Sequence, residues 1–237
     1  MAASGLSLVL LSGGPDSAAA LAWAMRRGPA IPATFEFPGR PRPEASAARR
    51  VARAMGLPPP RLIRVPMLRM TGGPAGRLTG EPPGFVPHRN LVYYGLALAL
   101  AASVGAQRVV GGQLRTDGRL FPDGRPAFFR ALNALAERGA PPGRGCRIVL
   151  PFARMKKAEV LRLGVRLGAP LGLTWSCYRS GRRHCGRCLG CVERREAFRM
   201  AGMADGEPPK IPRGDSPRKT PKTAKQRQNG LIHHRRR

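Results

Sequence analysis

Acidic and aromatic residues are both scarce in this 237-residue chain, with 13 Asp and Glu against 42 Lys and Arg, and only 5% Phe, Trp and Tyr. So few rings argue against a base-stacking platform for single-stranded nucleic acid. No apolar run reaches about 18 residues free of charge, which excludes a membrane-spanning helix. Residues 1–11 have neither the basic opening nor the cleavage site of a secretory signal, so the chain is expected in the cytoplasm. Lysine is rare as well: 6 of the 42 basic residues are Lys and 36 are Arg, beside abundant Ala, Gly and Pro. That imbalance reads partly as the coding bias of a GC-rich genome. A formal charge of +29 nevertheless favours phosphate-bearing ligands, among them ATP, pyrophosphate and RNA.

What is present suffices for one sizeable core. Hydrophobic residues make up 42% of the chain, too many for wholesale disorder. Five segments (37–46, 66–88, 113–127, 138–146 and 207–237) are dense in Gly, Pro or Arg and show neither helical nor strand periodicity. Between them, residues 6–11 read as a strand closed by Ser12-Gly13-Gly14, and 18–27 as an Ala-rich helix. Further strands are expected at 31–37, 61–65, 108–112 and 147–150, and helices at 44–55, 91–104, 126–138 and 157–167. The alternation predicts an α/β fold, a doubly wound, Rossmann-like parallel sheet whose ligand site lies outside the carboxyl ends of the strands.

After Gly172 the character changes. Four of the five cysteines fall within 174–200, and residues 207–237 carry ten basic and two acidic residues with almost no large apolar ones. The expected division is an α/β domain over 1–172, a small cysteine-bearing helical segment over 173–206 packed on it, and a disordered basic tail over 207–237. The tail could touch RNA without sequence preference.

Two constellations carry chemistry. Ser12-Gly13-Gly14-Pro15-Asp16-Ser17 lies between the first strand and first helix, where glycines let backbone N–H groups approach an anion and the helix N-terminus adds its dipole. No Gly-Lys-Ser/Thr follows, so this is not the Walker pattern. Ser12, Gly13, Gly14, Asp16 and Ser17 are the candidate nucleotide-binding residues. Cys177, Cys185, Cys188 and Cys191 have the spacing C-x7-C-x2-C-x2-C, which fits a closed tetrahedral Zn²⁺ site. An iron–sulfur cluster is the alternative, although the fourth cysteine lies upstream of its usual place. Arg179, Arg182, Arg183, Arg187 and Arg194 could offset the thiolate charge, His184 reads as a bystander, and Cys146 as a plain thiol.

These residues resemble known families. The Ser-Gly-Gly-x-Asp-Ser loop is similar to the pyrophosphate loop of the ATP pyrophosphatases, in which Asp16 would hold Mg²⁺ and the two serines pyrophosphate. Thr174-Trp175-Ser176-Cys177-Tyr178, followed by Cys185-Gly186-x-Cys188-x-x-Cys191-x-x-Arg194-x-x-Ala197-Phe198, resembles the C-terminal signature of the 7-cyano-7-deazaguanine synthases. Phe85-Val86-Pro87-x-Arg89-Asn90-Leu91, Pro122-Asp123-x-Arg125-Pro126-x-Phe128, Leu132-Asn133 and Lys157-Ala158-Glu159 fall in that family's order and spacing, so the resemblance covers residues 6 to about 200.

The resemblance implies an adenine nucleotide alpha hydrolase-like fold and an ATP-dependent carbon–nitrogen ligase of queuosine-precursor biosynthesis. Its substrates would be 7-carboxy-7-deazaguanine and ammonia, and its product the nitrile, reached through an acyl-adenylate and an amide. Asp16, Arg89 and Lys157 would be catalytic, and Asn90, Asp117, Asp123 and Arg125 would bind the acceptor. ATP, Mg²⁺ and a structural Zn²⁺ would be the cofactors, with a homodimer as the assembly.

The chain departs from the family at Phe35-Glu36-Phe37-Pro38-Gly39-Arg40, which lacks the usual Gln and His, at Leu114 and Thr116 in place of Asn and an acid, and at Gly124 in place of Cys. These departures motivate a second reading, a relative that adenylates another acceptor such as a modified nucleoside, a protein or a tRNA base. A third is a basic, zinc-stabilised RNA-binding module.

Overall fold

The computed structural model describes residues 5–65, 86–141, 143 and 145–205. The tail expected over 207–237 lies outside the described residues, as do Phe85 and nearly all of segment 66–88. Five strands, β1 (Ser7–Leu10), β2 (Ala30–Glu36), β3 (Arg61–Arg64), β4 (Arg108–Val110) and β5 (Arg147–Val149), form one sheet in the order β3-β2-β1-β4-β5. Every pairing is parallel, and Leu8 of β1 stands beside Ile31 on one side and Val109 on the other. The fold is the expected doubly wound α/β sheet.

The central strand is apolar on both faces because helices cover both. Leu8 and Val9 are fully buried in opposite cores. Val9 joins the core under α1 (Pro15–Met25), α6 (Lys157–Arg166) and α7 (Leu189–Ala201), while Leu8 joins Tyr94, Ala97 and Ala101 of α3 (Arg89–Ser103) and Phe129 and Leu132 of α5 (Pro126–Arg138). The alanines of α1, from Ala18 to Ala24, are buried almost without remainder, so this helix lies close to the sheet and fixes the loop at its N-terminus. Among the described residues no helix is long and apolar enough to cross a membrane.

Some boundaries differ from expectation. Helix α1 starts at Pro15 rather than 18, since proline costs nothing in the first helical turn. Helix α2 (Arg42–Ala54) likewise begins inside the segment read as irregular, with Pro43 in its first turn. A short helix α4 (Arg115–Leu120) and a 3-10 turn at Pro122–Gly124 occupy the segment 113–127, where no periodicity was found. Six residues are too few for an apolar stripe, and α4 has no buried residue. Its start is fixed by Asp117, whose carboxylate accepts the Leu114 N–H at 2.7 Å.

Candidate functional site

The glycine turn follows β1 at the carboxyl edge of the sheet. Gly13 has φ +105°, and a Cβ there would stand 2.3 Å from the Glu44 carbonyl, so only glycine fits. The Ser12 hydroxyl accepts the Gly14 N–H (3.2 Å) and donates to the Ser17 hydroxyl (3.1 Å), which in turn donates to the Gly14 carbonyl (2.9 Å). The five residues expected to bind nucleotide thus share one turn at a helix N-terminus, where unpaired N–H groups and the dipole favour an anion.

A ring of charges stands beside the turn. Asp16, in the first turn of α1, lies 3.5 Å from the ammonium of Lys157, the first residue of α6. Lys157 is in turn 3.9 Å from Glu193 of α7. Burial holds the Asp16 carboxyl above its ordinary range, a shift that Lys157 opposes and Asp117 and Glu193 add to. Burial alone would lower Lys157, but Asp16, Glu193 and Asp117 outweigh it, and the ammonium is held charged above its ordinary range. Burial also raises Asp117, against the Leu114 N–H, Lys157 and Arg89. One oxygen of Asp16, Oδ1, is buried without a hydrogen-bond partner among the described residues. Such an oxygen fits a cation ligand, because an unpaired buried carboxylate oxygen is otherwise costly.

Of the expected acceptor-binding residues, Asp117 belongs to this ring. Asn90 and Asp123 clasp each other: the Asn90 N–H donates to Asp123 Oδ2 (2.9 Å) and its side-chain amide to the Asp123 carbonyl (3.0 Å). Both are buried, and the pair ties the start of α3 to the 3-10 turn. Arg125 is exposed at the residue preceding α5. Among the departures, Leu114 is buried, while Pro38 and Thr116 are exposed.

The sequence reading missed several groups. Glu193 meets Lys157 through tertiary packing, which spacing does not reveal. Arg40 is a buried guanidinium donating to the Ser12 carbonyl (2.5 Å) and the Phe35 carbonyl (2.5 Å), with Glu44 at 3.3 Å. The Trp175 N–H donates to the Gly13 carbonyl (2.8 Å), so the cysteine segment touches the loop directly. A signal for Arg40 existed in Phe37-Pro38-Gly39-Arg40. Gly39 has φ +86° and the Arg40 N–H returns to the Phe37 carbonyl, the pattern of a type II turn.

The four cysteines of 177–191 come together, their sulfurs all within 4.8 Å of one another. Cys177 and Cys191 are buried with Trp175 and Ala47. The amides of Arg179 and Cys185 donate to Cys177 Sγ and that of Cys188 to Cys185 Sγ, each at 3.4 Å. Amides from Arg187 and Cys188 pull the Cys185 thiol down to about 6. These donors support thiolates, and the group can hold a metal ion.

Arg194 turns to other partners than the sulfurs: it bridges Asp205 (2.8 Å), Thr174 (2.8 Å) and the Leu171 carbonyl (3.4 Å). Arg179, Arg182, Arg183 and Arg187 are exposed. His184 is outside the four-sulfur group, stacked on Trp175 with its Nε2 accepting the Ser176 N–H (3.2 Å). Cys146 lies in the core on the other side of the sheet, its thiol pushed by burial to about 11.

A family model described as queuosine biosynthesis protein QueC matches residues 6–202. The chain is 38% identical over 218 residues to the 7-cyano-7-deazaguanine synthase of Anaeromyxobacter dehalogenans (strain 2CP-C), a match covering 84% of this chain and 93% of that one. It is 34% identical over 219 residues to the synthase of Acidobacterium capsulatum, covering 85% and 95%. To the synthase of Xanthomonas oryzae pv. oryzae (strain PXO99A) it is 39% identical over 214 residues, covering 84% and 95%. Among solved structures, the U34-tRNA thiolase NcsA from Methanococcus maripaludis with its [4Fe-4S] cluster is similar at 15% identity over 85% of this chain and 73% of that one, with a TM-score of 0.42, a likeness that carries no conclusion about this chain.

Proposed function

The chain belongs to the queuosine biosynthesis protein QueC family, whose similar members are 7-cyano-7-deazaguanine synthases, and from that premise we propose that it turns 7-carboxy-7-deazaguanine and ammonia into the nitrile at the expense of ATP. The single observation that carries the reading is the pairing of Asp16 and Lys157 beside a glycine turn shaped for an anion.

A carboxylate is a poor electrophile until one oxygen becomes a good leaving group. Attack of the acceptor carboxylate on the α-phosphorus of ATP forms the acyl-adenylate and expels pyrophosphate. Ammonia then adds to the carbonyl carbon, AMP leaves with the C–O electron pair, and a proton is shed to give the amide. A second ATP adenylates the amide oxygen, expelling pyrophosphate and shedding one amide proton, and loss of that AMP with the remaining N–H proton leaves the C≡N bond. Ser12, Gly13, Gly14 and Ser17 bind the departing pyrophosphate. Lys157 and Arg89 neutralise charge on the phosphates, mainly by position. Asp16 would hold Mg²⁺ through Oδ1, and Mg²⁺ when bound supplies charge neutralisation at pyrophosphate. Asn90, Asp117, Asp123 and Arg125 form the acceptor side, where carboxylates accept N–H donors of a guanine-like edge.

Cys177, Cys185, Cys188 and Cys191 would hold Zn²⁺. A tetrahedral ion with Zn–S near 2.3 Å separates its sulfurs by about 3.8 Å, and three of the sulfur pairs here are 3.4, 3.9 and 3.9 Å apart. An iron–sulfur cluster would spread four ligand sulfurs over several irons and further apart, which favours the single ion. Residues 1–172 act as the ATP-handling domain and 173–206 as its metal-bearing segment, in a cytoplasmic enzyme.

The test is mass spectrometry of products from Mg²⁺-ATP, an ammonium salt and 7-carboxy-7-deazaguanine, with metal analysis of the same preparation. Nitrile and AMP are expected, falling at least about a hundredfold in Asp16→Ala, together with one zinc per chain. AMP formed only with RNA or protein acceptors would overturn the acceptor, and iron with acid-labile sulfide would overturn zinc.

A further inference from the structure

The structure assigns Arg40 a role in the ATP reaction, as a positioning residue that holds the pyrophosphate-binding loop in its binding shape from behind. The inference rests on the loop's being the anion site, as proposed above.

A buried guanidinium is expensive unless its donors are used, and an apolar residue of similar volume often serves stability as well. Here the Arg40 side chain is 2% exposed. Its donors go to the Phe35 carbonyl at the end of β2, to the Ser12 carbonyl at the start of the loop, and to Glu44 in the first turn of α2. Charge-assisted bonds to a carbonyl are strong, so this one fixes the orientation of the Ser12–Gly13 peptide.

The consequence follows from peptide geometry. In a trans peptide the C=O and the following N–H point in opposite directions. Arg40 holds the Ser12 carbonyl, the Trp175 amide holds the Gly13 carbonyl, and the Ala18 N–H and Ser17 hydroxyl hold the Gly14 carbonyl. Three consecutive carbonyls are thus engaged by protein donors, and the Gly13 amide points opposite to the Ser12 carbonyl, away from Arg40. Without these clamps a carbonyl could rotate inward and present negative charge to the phosphates. Two of the clamps, Arg40 and Trp175, come from outside the loop and its helix. Only Arg40 does this with a side chain, and it is delivered there by the Pro38-Gly39 turn. It acts through the loop and needs no contact with ATP.

The test measures binding of inorganic pyrophosphate by calorimetry to the full chain and to Arg40→Lys and Arg40→Met, at a temperature where circular dichroism shows each folded. Steady-state kinetics run alongside. The dissociation constant should rise about tenfold or more in Arg40→Met, the scale of one charge-assisted hydrogen bond, and less in Arg40→Lys, which reaches fewer acceptors. KM for ATP should rise in parallel while KM for ammonia stays unchanged, a split that loss of stability alone would not produce. Arg40→Lys is the milder change and keeps the test open should Arg40→Met fail to fold. Unchanged pyrophosphate affinity in a folded variant would overturn the role of Arg40 and leave the proposed reaction standing. Failure of the unsubstituted chain to bind pyrophosphate would overturn the loop reading and this inference together.

Discussion

The glycine loop and the cysteine segment are joined by the hydrogen bond from the Trp175 amide to the Gly13 carbonyl, yet different physics holds each in shape. The loop grows out of a deeply buried strand and helix, and its backbone is fixed by hydrogen bonds to neighbouring residues. The cysteine segment has little core of its own. Residues 178–183 are all exposed, and its buried cluster is Trp175, Cys177 and Cys191 against Ala47. Four sulfurs this close cannot all be thiolate without a cation to offset them. One region is therefore folded by burial, while the other would be held by the ion its four sulfurs can bind, and the second is laid against the first.

Removing a ligand should break the comparison most visibly. Cys188→Ser is expected to lose nearly all bound metal, and residues 178–187 should become the first site of proteolytic cutting while the parallel sheet keeps its far-ultraviolet dichroism. Metal analysis and limited proteolysis read both. A variant that keeps the segment protected without metal would show that burial suffices there too. Gly13→Ala tests the other region. A side chain at φ +105° and against the Glu44 carbonyl should cost about 1–3 kcal/mol in urea unfolding, with metal content unchanged.

The smallest effect concerns Asp16. Its folded carboxyl is held up chiefly by burial, so the folded chain binds that proton more tightly than the unfolded chain does. That stabilising contribution is present below the ordinary carboxylate range and is lost as pH rises through the raised folded value. Asp16→Asn should thus melt slightly higher than its parent near pH 7, with the gap closing in acid, while turnover is lost. An equal or lower melting temperature at neutral pH would mean that the ion pair with Lys157 outweighs burial.

Much of this was legible in the sequence because it is local. A strand, a glycine turn and an Ala-rich helix announce themselves within a few residues, and the cysteine spacing already implies that four sulfurs can meet. The strands were placed to within about two residues because each apolar run is closed by a polar or Gly/Pro boundary. What escaped is tertiary or too short to be periodic. Helix α4 has six residues and one of them is Gly118. Arg40 is one arginine among 36, and the Pro38-Gly39 pair beside it announces a turn without saying which way the side chain after it points. Glu193 reaches Lys157 because α6 and α7 pack side by side, a fact about helix positions rather than residue order.

The bond from the Trp175 amide to the Gly13 carbonyl also orders events in time. Chains emerge from the ribosome N-terminus first, and contacts between distant residues form last. Strand β1 and helix α1 can assemble early, but the loop between them receives its final clamp only after the cysteine segment has been synthesised and has closed over it. A nascent chain that stops before Trp175 would carry the glycine motif in full and still hold it incompletely.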